Sequence, residues 1–324
     1  MLSQITSSPR INEDAYYTFS HNQDMLLAVI DGASQRLKTT RTQALFATYG
    51  TEVTAARYAT LLTRDTFAQY NTHSPKDMLL AANTQLRQQL ISIYGELSPT
   101  ALLKAEPHLT ELQADPRLIR LALPVCVATV AKVDLAKRQL VFAHAGDTAL
   151  FVFYENGQVS QLTHDQMGQH DDRALVLAKS IQKELNKPQL VDVLSDPCII
   201  EINRVNGIYH NYVDAQGEID RNVGVGVING LPQLAAYIQE GSLSLAGVNG
   251  ILVCSDGFIW PARWSENDHM RQERLRLMKT HICEHGLSGY LDALRQTETA
   301  DSSHNTYPRF KQHDDATAVY LELS

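Results

Sequence analysis

The stretch DAYYTFSHNQDMLLAVIDG at residues 14–32 decides the fold. Its two runs of apolar, aromatic and branched residues, AYYTF at 15–19 and MLLAVI at 25–30, flank the polar His21-Asn22-Gln23-Asp24, the pattern of a β-hairpin. A turn about Asn22 and Gln23 makes paired residue numbers sum to 45, which sets Asp14 opposite Asp31 at the open end. Like charges that face each other destabilise a sheet, so that end needs cations, protons or spacing.

Working outward, helical periodicity covers 52–70 and 75–94, the second opened by Ser74-Pro75, and Ser98-Pro99 starts a third helix. Four strand-like runs follow: VCVATVAKV at 125–133, QLVFAHA at 139–145, TALFVFY at 148–154 and QVSQLT at 158–163. They are expected to pair in order as a meander, with Asn156-Gly157 at its last turn. Residues 164–222 combine a helix over 172–186 with irregular chain and a hairpin about Asp214-Ala215-Gln216-Gly217, in the manner of a functional flap. Strands at 232–239 and 250–254, helices over 266–282 and 287–298, and a closing strand ATAVYLEL at 316–323 complete the reading. Together these predict an α/β (α+β) fold, a central sandwich of two mainly antiparallel β-sheets flanked by α-helices on both outer faces. The expected organisation is one domain over 1–324, with a helical block over about 52–115 and a variable flap-like region over about 164–222.

Bulk properties narrow the function classes. With 324 residues, 44% hydrophobic and 20% charged, the composition is that of a globular protein. A net charge of −8 argues against nucleic acid as a partner, which calls for a basic patch. Cys126, Cys198, Cys254 and Cys283 are far apart, so no disulfide framework or zinc ribbon is expected and a reducing cytoplasm suits them. The N-terminal MLSQITSSPRINEDAYY lacks the apolar core of a signal peptide. The most apolar long run, Leu118 to Ala131, is broken by Arg120 and Pro124, so no membrane span is expected.

Acidic residues stand at the ends of apolar strands: Glu13 and Asp14 before the first, Asp31 after the second, Asp256 after GILVCS, and Asp314 and Asp315 before the last. Asp256 ends a strand and Asp314 begins one, so antiparallel neighbours would bring both to one sheet edge. Carboxylates without thiolates or paired histidines favour Mg²⁺ or Mn²⁺ over zinc. In Asp31-Gly32 and Asp256-Gly257 the glycine leaves room for a carbonyl or a phosphate to approach. The twelve histidines show no metal-ligand spacing, and His144, beside Gly146-Asp147, is the one placed to touch a site.

In chain order, Arg10-Ile11-Asn12-Glu13-Asp14, Val29-Ile30-Asp31-Gly32, Ala145-Gly146-Asp147-Thr148, Leu162-Thr163-His164-Asp165, Cys254-Ser255-Asp256-Gly257 and Asp314-Asp315-Ala316-Thr317 resemble a known set of motifs. They are similar to those of the metal-dependent Ser/Thr protein phosphatases of type 2C, as found in bacteria, over nearly the whole chain. The resemblance implies a binuclear Mg²⁺ or Mn²⁺ centre in which Asp31 bridges both ions, the Gly32 carbonyl completes one, and Asp256 with Asp314 holds the other. Asp14 and Glu13 would bind metal waters. Asp147 falls where the family binds a third, weaker ion, or else shapes the turn it lies in. Arg10 stands near the family's phosphate-binding arginine, one residue nearer Asp14 than usual.

The catalytic set so implied is Asp31, Asp256 and Arg10, with in-line attack of an activated water on phosphorus and no covalent phosphoenzyme. The sequence agrees in lacking a Gly-x-Ser-x-Gly turn and a Cys-x5-Arg loop. Ala33 stands where some relatives have a histidine that protonates the leaving alkoxide. The implied function is hydrolysis of phosphoserine and phosphothreonine in protein substrates, in signal transduction beside a cognate Ser/Thr kinase. The alternatives are a catalytically weak relative that binds phosphoproteins or a regulatory partner, and a phosphatase of a small phosphoester. Residues 33–51, including SQRLKTTR, either line the substrate entrance or form a solvated loop.

Overall fold

The computed structural model describes residues 1–8 and 11–323. Its strands are β1 (Leu2–Ser7), β2 (Ala15–His21), β3 (Asp24–Ala33), β4 (Val125–Asp134), β5 (Gln139–Ala145), β6 (Ala149–Tyr154), β7 (Val159–Gln161), β8 (Gln239–Ser244), β9 (Val248–Cys254) and β10 (Ala316–Glu322). They build two five-stranded sheets, ordered β1-β10-β9-β6-β7 and β2-β3-β4-β5-β8, whose neighbouring strands run antiparallel. The helices are α1 (Gln43–Phe46), α2 (Ala55–Gln69), α3 (Pro75–Tyr94), α4 (Pro99–Ala105), α5 (Glu111–Ala114), α6 (Ile119–Ala122), α7 (Gly168–Glu184), α8 (Pro197–Val205), α9 (Leu234–Tyr237) and α10 (Asp268–Ala300). None of the described helices is long and apolar enough to cross a membrane.

The alternation of β3 explains the layering, because successive side chains of a strand point to opposite faces. Leu27 and Val29 pack with Leu150, Ile251, Val253 and Val319 between the two sheets. Leu26, Ala28 and Ile30 pack on the other face against Tyr58, Met78, Leu79 and Leu86 of α2 and α3. On the far side, Phe151, Leu252 and Ala318 meet Leu275, Met278, Tyr290 and Leu294 of α10. The result is the expected sandwich with helices on both outer faces. Local signals explain the helix starts: Ser74 accepts from Asp77 N ahead of Pro75, and Ser98 accepts from Ala101 N ahead of Pro99.

Three expectations are corrected, and one strand is added. The runs from 125 to 163 do not form one meander, because β5 pairs with β4 and β8 whereas β6 pairs with β7 and β9 in the other sheet. The link between β5 and β6 has hairpin length, yet it steps across the sandwich at Gly146, whose φ is 101°. A Cβ on Gly146 would lie 2.2 Å from Val127 Cγ1, so the crossing requires glycine. The strand expected at 232–239 is instead the short α9, and β8 begins at Gln239 in a polar run that edge pairing with β5 makes a strand.

β1, a segment left unassigned from sequence, pairs with β10 from Leu2↔Leu321 to Ser7↔Ala316. The turn at Asp214 to Gly217 closes through Asp214 N donating to Glu218 O, without flanking strands among the described residues. Other differences are of boundary: the helix expected over 172–186 is α7, and the two expected near the C-terminus meet as α10 at a kink on Gly286.

Candidate active site

The hairpin register pairs Ala15 with Ile30, the sum of 45 read from the turn, and so brings Asp14 and Asp31 together at its open end. In the other sheet Cys254 pairs with Ala318, which delivers Asp256 and Asp314 side by side from the ends of β9 and β10. Two hydrogen bonds join the sheets here: Ser255 Oγ donates to Asp14 Oδ2 at 2.8 Å, and Glu13 N donates to Asp315 Oδ2 at 2.6 Å. Thr317 N donates to the same Ser255 Oγ at 2.9 Å, fixing its orientation. Glu13 is further held by Thr54 Oγ1, the N-cap of α2, which donates to Glu13 Oε1 at 2.5 Å.

Both Asp-Gly glycines are packing requirements. A Cβ on Gly32 would stand 2.7 Å from the Glu13 carbonyl oxygen, and one on Gly257 would stand 2.0 Å from that of Asp315. The carbonyls that approach these glycines therefore belong to the neighbouring acid-bearing segments, and the missing side chains let four segments meet.

Crowded carboxylates resist ionisation. Burial, then Asp14, Asp256, Asp147 and Asp314, hold the Asp31 carboxyl well above its ordinary range. Asp14, 2% exposed, is pushed up to about 7 by burial despite the Ser255 bond, with Asp256 and Asp315 adding repulsion. Asp256 has an exposed side chain yet is raised to about 6 by the protein around it and by Asp314, while a hydrogen bond with Asp31 pulls the other way. Burial also raises Glu13. Asp147 is raised well above its ordinary value by burial and then by Asp256, Asp165 and Asp171, so it belongs to the same field.

Sequence reasoning missed several residues of this field. Asp171, on α7, is raised to about 7 by burial, Asp256 and Asp165. Asp165 lies in a quoted motif, LTHD, but strand-end position could not single it out. Two cations also face the acids. Arg57 Nη1 donates to the Asp14 carbonyl, and Lys311 Nζ contacts both oxygens of Asp314 at 2.7 Å. Arg295 Nη2 supports that loop by donating to Asp314 O at 2.6 Å. Arg10 lies outside the described residues. His144 is a core residue: it is buried, pairs with Thr129 Oγ1 through Nδ1 and reaches His164 O through Nε2.

The donor set suits hard divalent cations. It is all oxygen, it repels itself, and Asp14 Oδ1 and Asp147 Oδ1 are buried without a hydrogen-bond partner. Among the described residues no three His, Cys, Asp or Glu side chains are gathered closely enough to hold a metal ion. The fit therefore rests on these two orphaned oxygens and on the shared electrostatic field.

The family model described as Protein phosphatase 2C matches residues 6–293. Among solved structures, the SiaA-PP2C domain of Pseudomonas aeruginosa is similar at 12% identity and a TM-score of 0.50, covering 100% of this chain and 85% of that one. The Mycobacterium tuberculosis serine/threonine phosphatase PstP/Ppp is 16% identical with a TM-score of 0.47, covering 100% and 98%. RsbX in complex with magnesium is 10% identical with a TM-score of 0.46, covering 100% and 94%. No curated protein matches the sequence.

Proposed function

Since the chain belongs to the protein phosphatase 2C family, we propose that it is a metal-dependent hydrolase of phosphoserine and phosphothreonine in cytoplasmic protein substrates, working beside a cognate kinase. The observation that carries this reading is the meeting of acidic segments remote in sequence, around residues 13–14, 31, 256 and 314, at one mouth of the sandwich. In this reading Asp31, Asp256 and Asp314, with the Gly32 carbonyl, hold two Mg²⁺ or Mn²⁺ ions. Asp14 and Glu13 act through water, and Asp147 serves a third ion.

Bound there, the ions supply the charge that acidifies a water and neutralises phosphoryl oxygens. The chain's own groups set the geometry. Ser255 aims Asp14, Asp315 holds the Glu13 backbone, and Arg295 holds the loop that carries Asp314. Arg10 is the proposed phosphoryl-binding arginine. With Ala33 after the first Asp-Gly, the leaving alkoxide takes its proton from water.

The test is Mn²⁺-dependent hydrolysis of p-nitrophenyl phosphate and a phosphothreonine peptide by wild type and Asp256→Asn, with an EDTA control. Loss of one ligand removes several kcal/mol of transition-state stabilisation, so the rate should fall by about 100-fold or more. Equal rates in all three samples would remove the proposal.

Ala33 and the Lys311 ammonium on Asp314 favour a second reading, a weakly catalytic relative that binds a phosphoprotein or regulatory partner. Calorimetry separates the two. In the enzyme reading Lys311 competes with the ion for Asp314, and because Lys311 is exposed and Asp314 half-buried, Lys311→Met should tighten Mn²⁺ binding by roughly a few-fold. Absence of Mn²⁺ binding by both forms would favour the binding module.

A further inference from the structure

Beside the acidic mouth lies a cavity of ≈ 100 Å³ that the hydrolytic reading leaves unused. Ala33, Leu121, Val125 and Met167 supply apolar lining, and Arg36 and His210 are among its polar groups. Its position follows from strand geometry. Asp31 and Ala33 are two residues apart on β3 and share a face, so the cavity opens about 6.6 Å along the strand from the acidic cluster. Their partners on β4, Val127 and Val125, lie in one apolar group with Ala33 and Met167, so the lining is continuous from the site into the cavity.

The walls are built. Arg36 N and Leu37 N both donate to the Leu121 carbonyl, at 3.1 and 2.9 Å, which fixes the root of the Arg36 side chain beside the cavity. Arg120 is committed to the carbonyls of His210 and Asn211, and Arg204 to Glu201 and Glu111. The Arg36 guanidinium, by contrast, makes no hydrogen bond or ion pair among the described residues, and its side chain is exposed. His210, which also lines the cavity, keeps its Nδ1 buried without a hydrogen-bond partner. Burial, then Arg120, His170 and Arg36, hold that imidazole neutral, with its pKa pushed down to about 4. A neutral ring keeps one N–H to donate.

We propose that this cavity is a substrate subsite that takes a glutamate side chain two residues from the phosphorylated residue, a specificity that rests on the phosphatase reading. The volume suits one side chain and is too small for a nucleotide, being below the cavity of about 150 Å³ that holds a single benzene. The walls match an aliphatic stem, and Arg36 with His210 offers two donors to a terminal carboxylate. In an extended peptide, side chains two residues apart point the same way about 6.6 Å apart, the spacing from Asp31 to Ala33. A lysine there would meet Arg36 and the fixed Arg120 and be repelled.

The experiment uses the full chain loaded with Mn²⁺ and phosphothreonine peptides that differ only in Glu, Gln, Leu or Lys two positions before or two positions after the phosphothreonine. p-Nitrophenyl phosphate, which has no flanking residue, reports the reaction without the subsite. Glutamate should exceed lysine in kcat/KM by about tenfold at one of the two positions, the size of one charge-assisted hydrogen bond. Arg36→Gln should bring that ratio close to one, and Ala33→Leu, which fills the cavity, should lower it independently. Equal kcat/KM across the peptides with normal p-nitrophenyl phosphate turnover overturns the subsite alone, as does a glutamate preference that survives both variants. No turnover of any substrate overturns the phosphatase reading and this inference with it.

Discussion

Gly257 shows what a single residue decides at this site. Its missing Cβ is the space the Asp315 carbonyl oxygen occupies, 2.0 Å from where that atom would stand. Gly257→Ala should force the loops bearing Asp256 and Asp314 apart, costing about 1–3 kcal/mol by overpacking and weakening Mn²⁺-dependent turnover along with it. Urea denaturation and p-nitrophenyl phosphate kinetics check this, and wild-type values in both would show that the contact relaxes freely. The acids at strand ends, Asp14, Asp31, Asp256 and Asp314, were legible because a charge ending an apolar run is a local pattern. Asp165, Asp171, Arg57 and Lys311 were not, because each sits in a loop or helix where a charge is ordinary. Only the packing of α2, α7 and the 311–315 segment around the mouth gives them a shared field.

Among elements, the segment 33–51 changes most between reading and structure. It is pinned by Glu106, a carboxylate 1% exposed that accepts from Thr40 N at 3.0 Å, Thr40 Oγ1 at 2.6 Å, Arg41 N at 2.7 Å and Tyr94 OH at 3.2 Å. Burial raises the Glu106 pKa, but the hydrogen bonds from Thr40, Arg41 and Tyr94 together outweigh it, and the net shift is downward from 4.5. A carboxyl with a depressed folded pKa contributes stability above its unfolded value and loses it as pH falls through the folded one. Glu106→Gln should therefore cost about 1–3 kcal/mol at neutral pH, since several donors lose a charged acceptor. The difference from wild type should shrink in acid below the ordinary glutamate range. A variant as stable as wild type at neutral pH would show that the pin contributes nothing. The second change, β5 and β6 in different sheets, was not legible because a three-residue link suits a hairpin as well as a step across the sandwich.

For the molecule as a whole, the acidic mouth joins the two sheets, so an ion bound there should stabilise the entire fold. With free Mn²⁺ at 100 times its dissociation constant, linkage adds about 2.7 kcal/mol. For a chain of this size that is a rise in Tm of about 4 °C, which scanning calorimetry should detect in wild type and find much reduced in Asp256→Asn. An identical Tm with Mn²⁺ and with EDTA would detach the acidic cluster from metal binding. The sequence by itself determined the hairpin register, the apolar strands and most helices, and the strand-end position of the principal acids, because these follow from neighbours along the chain and from periodicities of two and 3.6 residues. Tertiary structure alone decided that β1 and β8 are strands, how the ten strands divide between two sheets, and that a cavity opens next to Asp31. Those outcomes depend on hydrogen bonds and packing between residues hundreds of positions apart, such as Leu2 with Leu321 and Asp14 with Ser255, which no local pattern encodes.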